Sequence, residues 1–117
     1  MSGLFDYAGK RVVLTGGTTG VGAAAVELLA AAGCTDLTVL DIKEPTGAAT
    51  RFLPTDMSDP ASIDAAIAAI GDGVDVLFNN AGVAGVHPAD FVIRVNYLGV
   101  RRLTEGLSPA CLAAAPS

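Results

Sequence analysis

The stretch that decides the fold is "LTGGTTGVGAAAVELLAAAG", residues 14–33. The run "RVVLT" at 11–15 leads into it and is short, apolar and rich in β-branched residues, which is typical of a strand buried on both faces. From Gly20 to Ala32 the residues are mostly Ala, Val, Glu and Leu, which favour a helix, and Gly33 provides a C-terminal stop. The stretch therefore predicts a strand, a glycine-rich turn and a helix, in that order.

The turn "TGGTTGVG" at 15–22 has the glycine spacing of a dinucleotide phosphate site. Gly16 permits the tight turn, Gly20 lets the backbone approach a pyrophosphate, and Gly22 lets the helix pack close to the strand. Free amides at the helix N-terminus then face the phosphates. A Walker-type loop is excluded, because no Gly-Lys-Ser/Thr follows the glycines.

Asp41 lies at the end of the second predicted strand, residues 37–42, which is 41 − 22 = 19 positions beyond Gly22. A carboxylate at that place accepts hydrogen bonds from both ribose hydroxyls of NAD and repels the 2'-phosphate of NADP. Lys43 partly offsets this repulsion, so NAD is favoured and NADP stays open. The alternative interpretation of Asp41 is a solvated residue at a strand end.

Strands and helices alternate along the rest of the chain. Asp59 and Pro60 form a helix start, the apolar residues that follow recur at helical spacing, and Gly71 ends that helix. A last helix is expected to bend at Gly99 and near Pro109. The order β-α-β-β-α-β-α predicts an α/β fold with a Rossmann-like doubly wound parallel sheet in a single domain, residues 1–117. The remaining predicted elements are strands at 50–54 and 74–82 and helices at 59–70 and 89–115.

Composition narrows the class of protein. The chain has 117 residues, of which 51% are hydrophobic and 16% charged, so its composition is that of a globular protein with a hydrophobic core. Its net charge is −5 and no cluster of Lys and Arg is longer than the pair Arg101 and Arg102, which argues against a nucleic-acid partner. No apolar run is long enough to span a membrane and the first residues lack a signal-peptide layout, so we expect a cytoplasmic protein without a membrane partner.

Metal-binding and disulfide chemistry are not indicated. Cys34 and Cys111 have no CxxC or CxH companion and His87 is the only histidine, so we expect no metal site. An even number of cysteines allows a disulfide between the two, but two buried reduced thiols are favoured.

Five landmarks occur in a fixed order: "TGGTTGVG", then Asp41, then "TDMSD" at 55–59, "NNAG" at 79–82 and "VNYLG" at 95–99. Together they resemble the short-chain dehydrogenase/reductase family, and the resemblance covers almost the whole chain. "NNAG" after a strand is a much narrower signal than the glycines, although by itself it is also the sequence of a plain Asx turn. The resemblance implies an NAD(P)-dependent oxidoreductase that acts on an alcohol or carbonyl substrate.

The family match implies individual roles. Asp56 contacts the adenine through its side chain and Met57 through its backbone, while the "NNAG" residues line the ribose and support the central strand. Asn96 belongs to the Asn-Ser-Tyr-Lys active set, where it helps to hold the water that links the Lys to solvent; without the match it is a polar helix residue. The predicted cofactor-binding residues are Gly16, Thr18, Thr19, Gly20, Val21, Gly22, Asp41, Ile42, Asp56, Met57, Asn80, Ala81 and Gly82.

The remaining active set is missing from the 117 residues. Tyr7 precedes the first strand, and Tyr97 has Arg101 rather than a lysine four positions later. A tyrosine needs a nearby cation to act as a base at neutral pH, and an arginine pKa is too high for a proton relay. We therefore predict a cofactor-binding half, truncated after about four strands and the long helix and inactive alone. A non-catalytic NAD-binding or partner-interaction module is the alternative, and a split enzyme completed by a second chain is a third hypothesis.

Truncation has a physical consequence for the sheet. The fourth strand would become an apolar edge with unpaired backbone groups. The long helix would lose neighbours, which leaves its leucines exposed or in dimer contacts. We expect homo-oligomers through the strand edge or this helix. The leucines concerned are Leu98, Leu103, Leu107 and Leu112.

Overall fold

The computed structural model describes residues 7–16, 20–44, 51–81 and 88–107. The elements alternate between strand and helix as the sequence predicts, with bounds within one or two residues for most of them. They are β1 Arg11–Thr15, α1 Gly20–Ala31, β2 Asp36–Asp41, β3 Arg51–Pro54, α2 Pro60–Ile70, β4 Val76–Asn79, α3 Ala89–Ile93, a π-helical segment Arg94–Gly99 and α4 Val100–Leu107.

The four strands form one parallel sheet in the order β3-β2-β1-β4. In the centre, Val13 of β1 lies opposite Thr38 of β2 on one side and Leu77 of β4 on the other. β2 and β3 follow one another on one side of β1, and β4 lies on its other side. The direction in which successive strands are added to the sheet therefore reverses between β1 and β4. This arrangement confirms the predicted Rossmann-like α/β fold and creates a crevice at the carboxyl ends of β1 and β4.

Helices cover both faces of the sheet, which explains why β1 and β2 are buried at every inner position. Alternate side chains of a strand point to opposite faces. On one face they pack against α1, and on the other against α2 and α4. The first layer contains Val12, Leu14, Leu37 and Val39 with Val26 and Leu29, and the second contains Val13 and Leu40 with Ile63, Ala66, Ile70, Leu103 and Leu107.

Helix α2 is capped at both ends. The Asp59 side chain accepts a 3.0 Å hydrogen bond from the amide of Ala61, and Pro60 occupies the first turn, where its missing N–H costs nothing. Gly71 closes the helix at a φ of 73° and donates its amide to the Ile67 carbonyl. The predicted start and stop of this helix are both confirmed.

Two arginines add to the C-terminal cap of α2. Arg11 donates to the carbonyl of Ile70 at 3.0 Å and to that of Asp72, while Arg51 donates to the carbonyl of Ala69 at 2.7 Å. Guanidinium groups satisfy the last carbonyls of a helix and interact favourably with its dipole. The first residues of β1 and β3 are therefore hydrogen-bonded to the C-terminal end of α2.

The last helix is not uniform. Its described part runs from Ala89 to Leu107 with a π-helical segment at Arg94–Gly99, and Pro109 lies outside the described residues. A Cβ at Gly99 would overlap the Met57 carbonyl oxygen, so this glycine allows the helix to approach the segment that follows β3. The irregularity predicted at Gly99 thus extends over the six residues that end there.

The predicted edge position of β4 is confirmed, since β4 is the outermost strand of the described sheet beside β1. The prediction that the leucines of the last helix are exposed is wrong for two of them: Leu103 is 0% and Leu107 5% exposed. Both pack in the core shared with α2, because α4 lies against that helix. Leu98 is exposed as expected, and Leu112 lies outside the described residues.

Candidate functional site

A cleft of about 310 Å³ lies at the carboxyl ends of the strands. All four strand ends contribute to it, and the helix after β4 closes one side. Its position is the point where the strand order reverses, which is where open α/β sheets bind ligands. The lining residues are Gly16, Leu40, Asp41, Ile42, Thr55, Asp56, Met57, Asn80, Ala81, Phe91 and Val95.

The glycine turn is built by close backbone approaches. Gly16 has a φ of 73°, donates its amide to the Leu40 carbonyl at 2.8 Å, and would place a Cβ 2.9 Å from the Cα of Ala81. A Cβ at Gly22 would overlap the carbonyl oxygen of Gly16 and lie 2.6 Å from Nδ2 of Asn80. The predicted tight turn and close helix packing are both present.

Gly20 differs from these two glycines. It begins α1 with a φ of 59°, and a Cβ built on it would meet no described atom within 4 Å. The next residue, Val21, is 77% exposed although it is apolar. The described atoms therefore leave room beside Gly20 for a group of another molecule. Thr18, Thr19 and Gly82 lie outside the described residues.

Thr15 is a functional residue that sequence reasoning missed. It is 0% exposed, and its hydroxyl oxygen accepts the amides of Asn80 at 3.0 Å and Ala81 at 2.9 Å. Asn80 in turn donates its side-chain amide to the Gly16 carbonyl at 3.0 Å. These bonds hold the end of β4 to the glycine turn. The sequence feature that could have indicated this role is a hydroxyl residue at the end of a buried strand, because a buried polar group needs a hydrogen-bond partner.

The end of β2 is held to the end of β3. The Asp41 carbonyl accepts the Thr55 amide at 2.9 Å, and its Oδ1 accepts the Ile42 amide at 2.7 Å. Ile42 lines the cleft and is 72% exposed, so it offers an apolar surface to a ligand. A carboxylate therefore lies beside an apolar side chain at the predicted ribose position.

Asp56 follows β3 on the same side of the cleft. Its Oδ1 accepts the Ser58 hydroxyl at 2.6 Å and the Ser58 amide at 2.9 Å. These two hydrogen bonds hold the pKa of the Asp56 carboxyl below its usual range, the hydroxyl contributing more. Met57 belongs to the buried core and also lines the cleft.

Asn96 does not line the cleft. It lies in the π-helical segment and is exposed, whereas its neighbour Val95 is buried and contacts the cleft. Tyr97 is also exposed, and the nearby Arg101 is paired with Glu105 at 2.8 Å, which raises the pKa of the guanidinium. Gly20, Val21 and Gly22, like Asn96, are not among the residues that line the cleft. Seven of the predicted cofactor-binding residues do line it: Gly16, Asp41, Ile42, Asp56, Met57, Asn80 and Ala81.

Within the described ranges, no group of three or more His, Cys, Asp or Glu side chains is placed to hold a metal ion. Cys34 is a buried free thiol whose pKa is raised by burial, and Cys111 and His87 lie outside those ranges. None of the described helices has the length and apolar character needed to cross a bilayer.

Comparison with known proteins assigns the family. The model of the short chain dehydrogenase family matches residues 10–115. The chain belongs to the short-chain dehydrogenase/reductase family. It is 38% identical to a coniferyl-alcohol dehydrogenase of Pseudomonas sp. over 98 residues, which cover 84% of this chain and 38% of that protein.

Two solved structures of the family share the fold. One is an NADH-dependent reductase complexed with NAD, with a TM-score of 0.74 and 26% identity, covering 95% of this chain and 55% of that one. The other is a gluconate 5-dehydrogenase from Burkholderia cenocepacia in complex with NADP and tartrate, with a TM-score of 0.72 and 27% identity, covering 93% and 51%. The chain spans less than half the length of the curated relatives that it matches, such as the coniferyl-alcohol dehydrogenase, of which it covers 38%.

Proposed function

We propose that the chain binds NAD as the cofactor-binding part of a short-chain oxidoreductase that acts on an alcohol or carbonyl substrate. The observation that carries the proposal is the cleft where the strand order reverses, lined by Gly16, Asp41, Asp56 and Asn80. It brings the ends of all four strands to one place. Family members solved with NAD and with NADP support a nicotinamide dinucleotide as its ligand.

The adenosine end of NAD fits the chemistry of the cleft walls. Asp41 supplies a carboxylate for the ribose hydroxyls and Asp56 one for the amino group of adenine. Ile42, exposed beside them, offers an apolar surface for the ring. A cavity of about 310 Å³ is at the lower end of the range for small-molecule sites, which suits one half of a dinucleotide.

The pyrophosphate fits the start of α1. The open space at Gly20 admits a phosphate where a side chain would stand, and the helix dipole favours negative charge there. When bound, NAD supplies the hydride chemistry, and this part of the chain orients it. The Ser and Tyr-x-x-x-Lys of the family do not occur in these 117 residues, so we propose that the chain alone binds NAD without turnover.

A pair of glycine substitutions tests the phosphate site. Gly20 and Gly9 both have positive φ, 59° and 76°, and both would direct a Cβ into open space. Gly20→Ala and Gly9→Ala therefore carry similar backbone strain, about 1–2 kcal/mol each. We expect only Gly20→Ala to weaken NAD binding measured by calorimetry. Equal NAD affinity in the two variants would contradict the proposed phosphate position.

The choice of NAD over NADP rests on Asp41. Its carboxylate would face the 2'-phosphate, and like charges held close in a partly buried site cost on the order of 1 kcal/mol or more, which corresponds to roughly tenfold in affinity. The wild-type chain should bind NAD more tightly than NADP, and Asp41→Asn should reduce that ratio. An unchanged ratio in Asp41→Asn would show that another group selects the cofactor.

We also propose self-association as the second candidate role, because the described surface leaves apolar groups uncovered. β4 is an edge strand with half-buried apolar side chains, and Ile93, Tyr97 and Leu98 are exposed on one stretch of helix. A second copy of the chain would cover either surface. Light scattering should then give a mass near twice 11.7 kDa, which Leu98→Lys reduces if the helix is used.

The proposed cellular location is the cytoplasm, to be checked by cell fractionation.

A further inference from the structure

The carboxylate of Asp56 is held at one of its two oxygens. Ser58 directs two donors, its hydroxyl and its amide, to the same atom, Oδ1, at 2.6 and 2.9 Å. No other described residue donates a hydrogen bond to this carboxylate, so Oδ2 keeps its acceptor capacity. Because Asp56 is exposed, its side chain would otherwise be free to change rotamer.

The backbone around Asp56 is fixed by other bonds. The Asp56 amide donates to the Ser62 hydroxyl at 2.8 Å, and the Thr55 amide donates to the Asp41 carbonyl at 2.9 Å. Gly99 lies against the Met57 carbonyl. The Ser58 hydroxyl therefore acts on the direction of the carboxylate, while the path of the segment depends on different contacts.

We propose that Ser58 is a positioning residue that makes the cleft select adenine, an inference that rests on the proposed NAD function. An ionised carboxylate accepts hydrogen bonds and cannot donate them. It attracts the 6-amino group of adenine and repels a base that carries a carbonyl oxygen at that position. Ser58 holds one carboxylate oxygen, and the other is presented to the base in a fixed direction.

The probe for this selectivity is nicotinamide hypoxanthine dinucleotide, in which a carbonyl replaces the 6-amino group of adenine and N1 of the base carries a hydrogen. The ratio of its dissociation constant to that of NAD, measured by calorimetry on the full chain, isolates the base. For wild type this ratio should be about tenfold or more, the size of one charge-assisted hydrogen bond. Ser58→Ala should lower it about fivefold, since the amide of residue 58 still holds Oδ1, and Ser58→Thr should restore it.

A double-mutant cycle separates positioning from general structural damage. Asp56→Asn keeps the size of the side chain and gives it a donor, so it should abolish the preference for adenine by itself. Adding Ser58→Ala to Asp56→Asn should leave the ratio unchanged, because Ser58 acts through the carboxylate. Circular dichroism confirms that each variant is folded.

The outcomes distinguish this inference from the function it rests on. If the wild-type chain binds neither dinucleotide, the proposed NAD function fails. If wild type binds NAD with the expected preference and Ser58→Ala keeps the full ratio, NAD binding stands and the role of Ser58 is refuted. An effect of Ser58→Ala that persists unchanged in the Asp56→Asn background would also refute it.

Discussion

Replacing Thr15 by valine removes the acceptor that fastens β4 to the glycine turn. The two side chains have nearly the same shape, so the substitution deletes the hydroxyl with little change in packing. The Ala81 amide, 2.9 Å from that hydroxyl, then loses its acceptor, and the Asn80 amide, 3.0 Å from it, keeps only the Phe78 carbonyl at 3.2 Å. A partly buried donor left without its partner costs about 1–3 kcal/mol. One donor without an acceptor and a second that keeps a longer bond, both only partly buried, predict a loss of about 1–3 kcal/mol in the free energy of unfolding.

Urea denaturation measures this loss. With a slope of about 1–3 kcal/mol per molar for a small protein, the midpoint should fall by roughly 1–2 M. Thr15→Ser keeps the hydroxyl and should lose only about 1 kcal/mol, the value of one buried methyl group. Thr38→Val is the matched control, since Thr38 is also a threonine buried in the sheet but lies in the middle of β2 and is not among the residues that line the cleft.

Binding adds a second readout for the same substitution. Asn80 and Ala81 line the cleft, so Thr15→Val should weaken NAD binding as well as stability, and Thr38→Val should change neither strongly. If Thr15→Val and Thr38→Val have the same midpoint within experimental error, the hydroxyl does not hold the two segments and the reasoning is refuted.

Three further predictions concern single positions. Gly22→Ala should destabilise the fold by more than about 2 kcal/mol, because the added Cβ would overlap the backbone carbonyl of Gly16, which cannot move aside. A melting temperature within a few degrees of wild type would contradict this. Arg51→Met should lower the free energy of unfolding by about 1 kcal/mol in urea, since the last turn of α2 loses a donor, and unchanged stability would show that water replaces it. The lowered pKa of Asp56 stabilises the folded chain at neutral pH, and this contribution is lost as the pH falls below about 4. Ser58→Ala should therefore unfold at a higher pH than wild type in an acid titration. Coincident acid transitions would refute the role of this hydrogen bond.

The sequence predicted most of the fold because its strongest signals concern burial and turns. The inner positions of β1 and β2 carry apolar residues and threonine without the alternation of polar and apolar residues, which is typical of a sheet covered on both faces. Gly71, which ends α2, and Asp59, which begins it, are local signals read within a few residues. Such features depend on neighbours in sequence, so one chain is sufficient to find them.

The positions of the later leucines depended on a contact between distant elements. Leu103 and Leu107 were expected on an exposed face because α4 was expected to lose neighbours. They are buried because α4 packs on α2, with Gly106 so close that a Cβ there would overlap the side chain of Ile67. The amphipathic pattern of α4 marked an apolar face but did not identify what covers it.

The cleft shows the same division between local and distant signals. Gly16 and Gly22 were found because a missing side chain is visible in the sequence, and each proves to allow one specific backbone approach. Thr15 was missed because its partners are 65 and 66 residues away, and a threonine at the end of a strand has no distinctive neighbours. Ser58 was missed for another reason: its bond to Asp56 spans only two residues, but it gains meaning only once the carboxylate is seen to line a cleft. Hydroxyl residues that direct other groups are therefore the part of this site that required a structure.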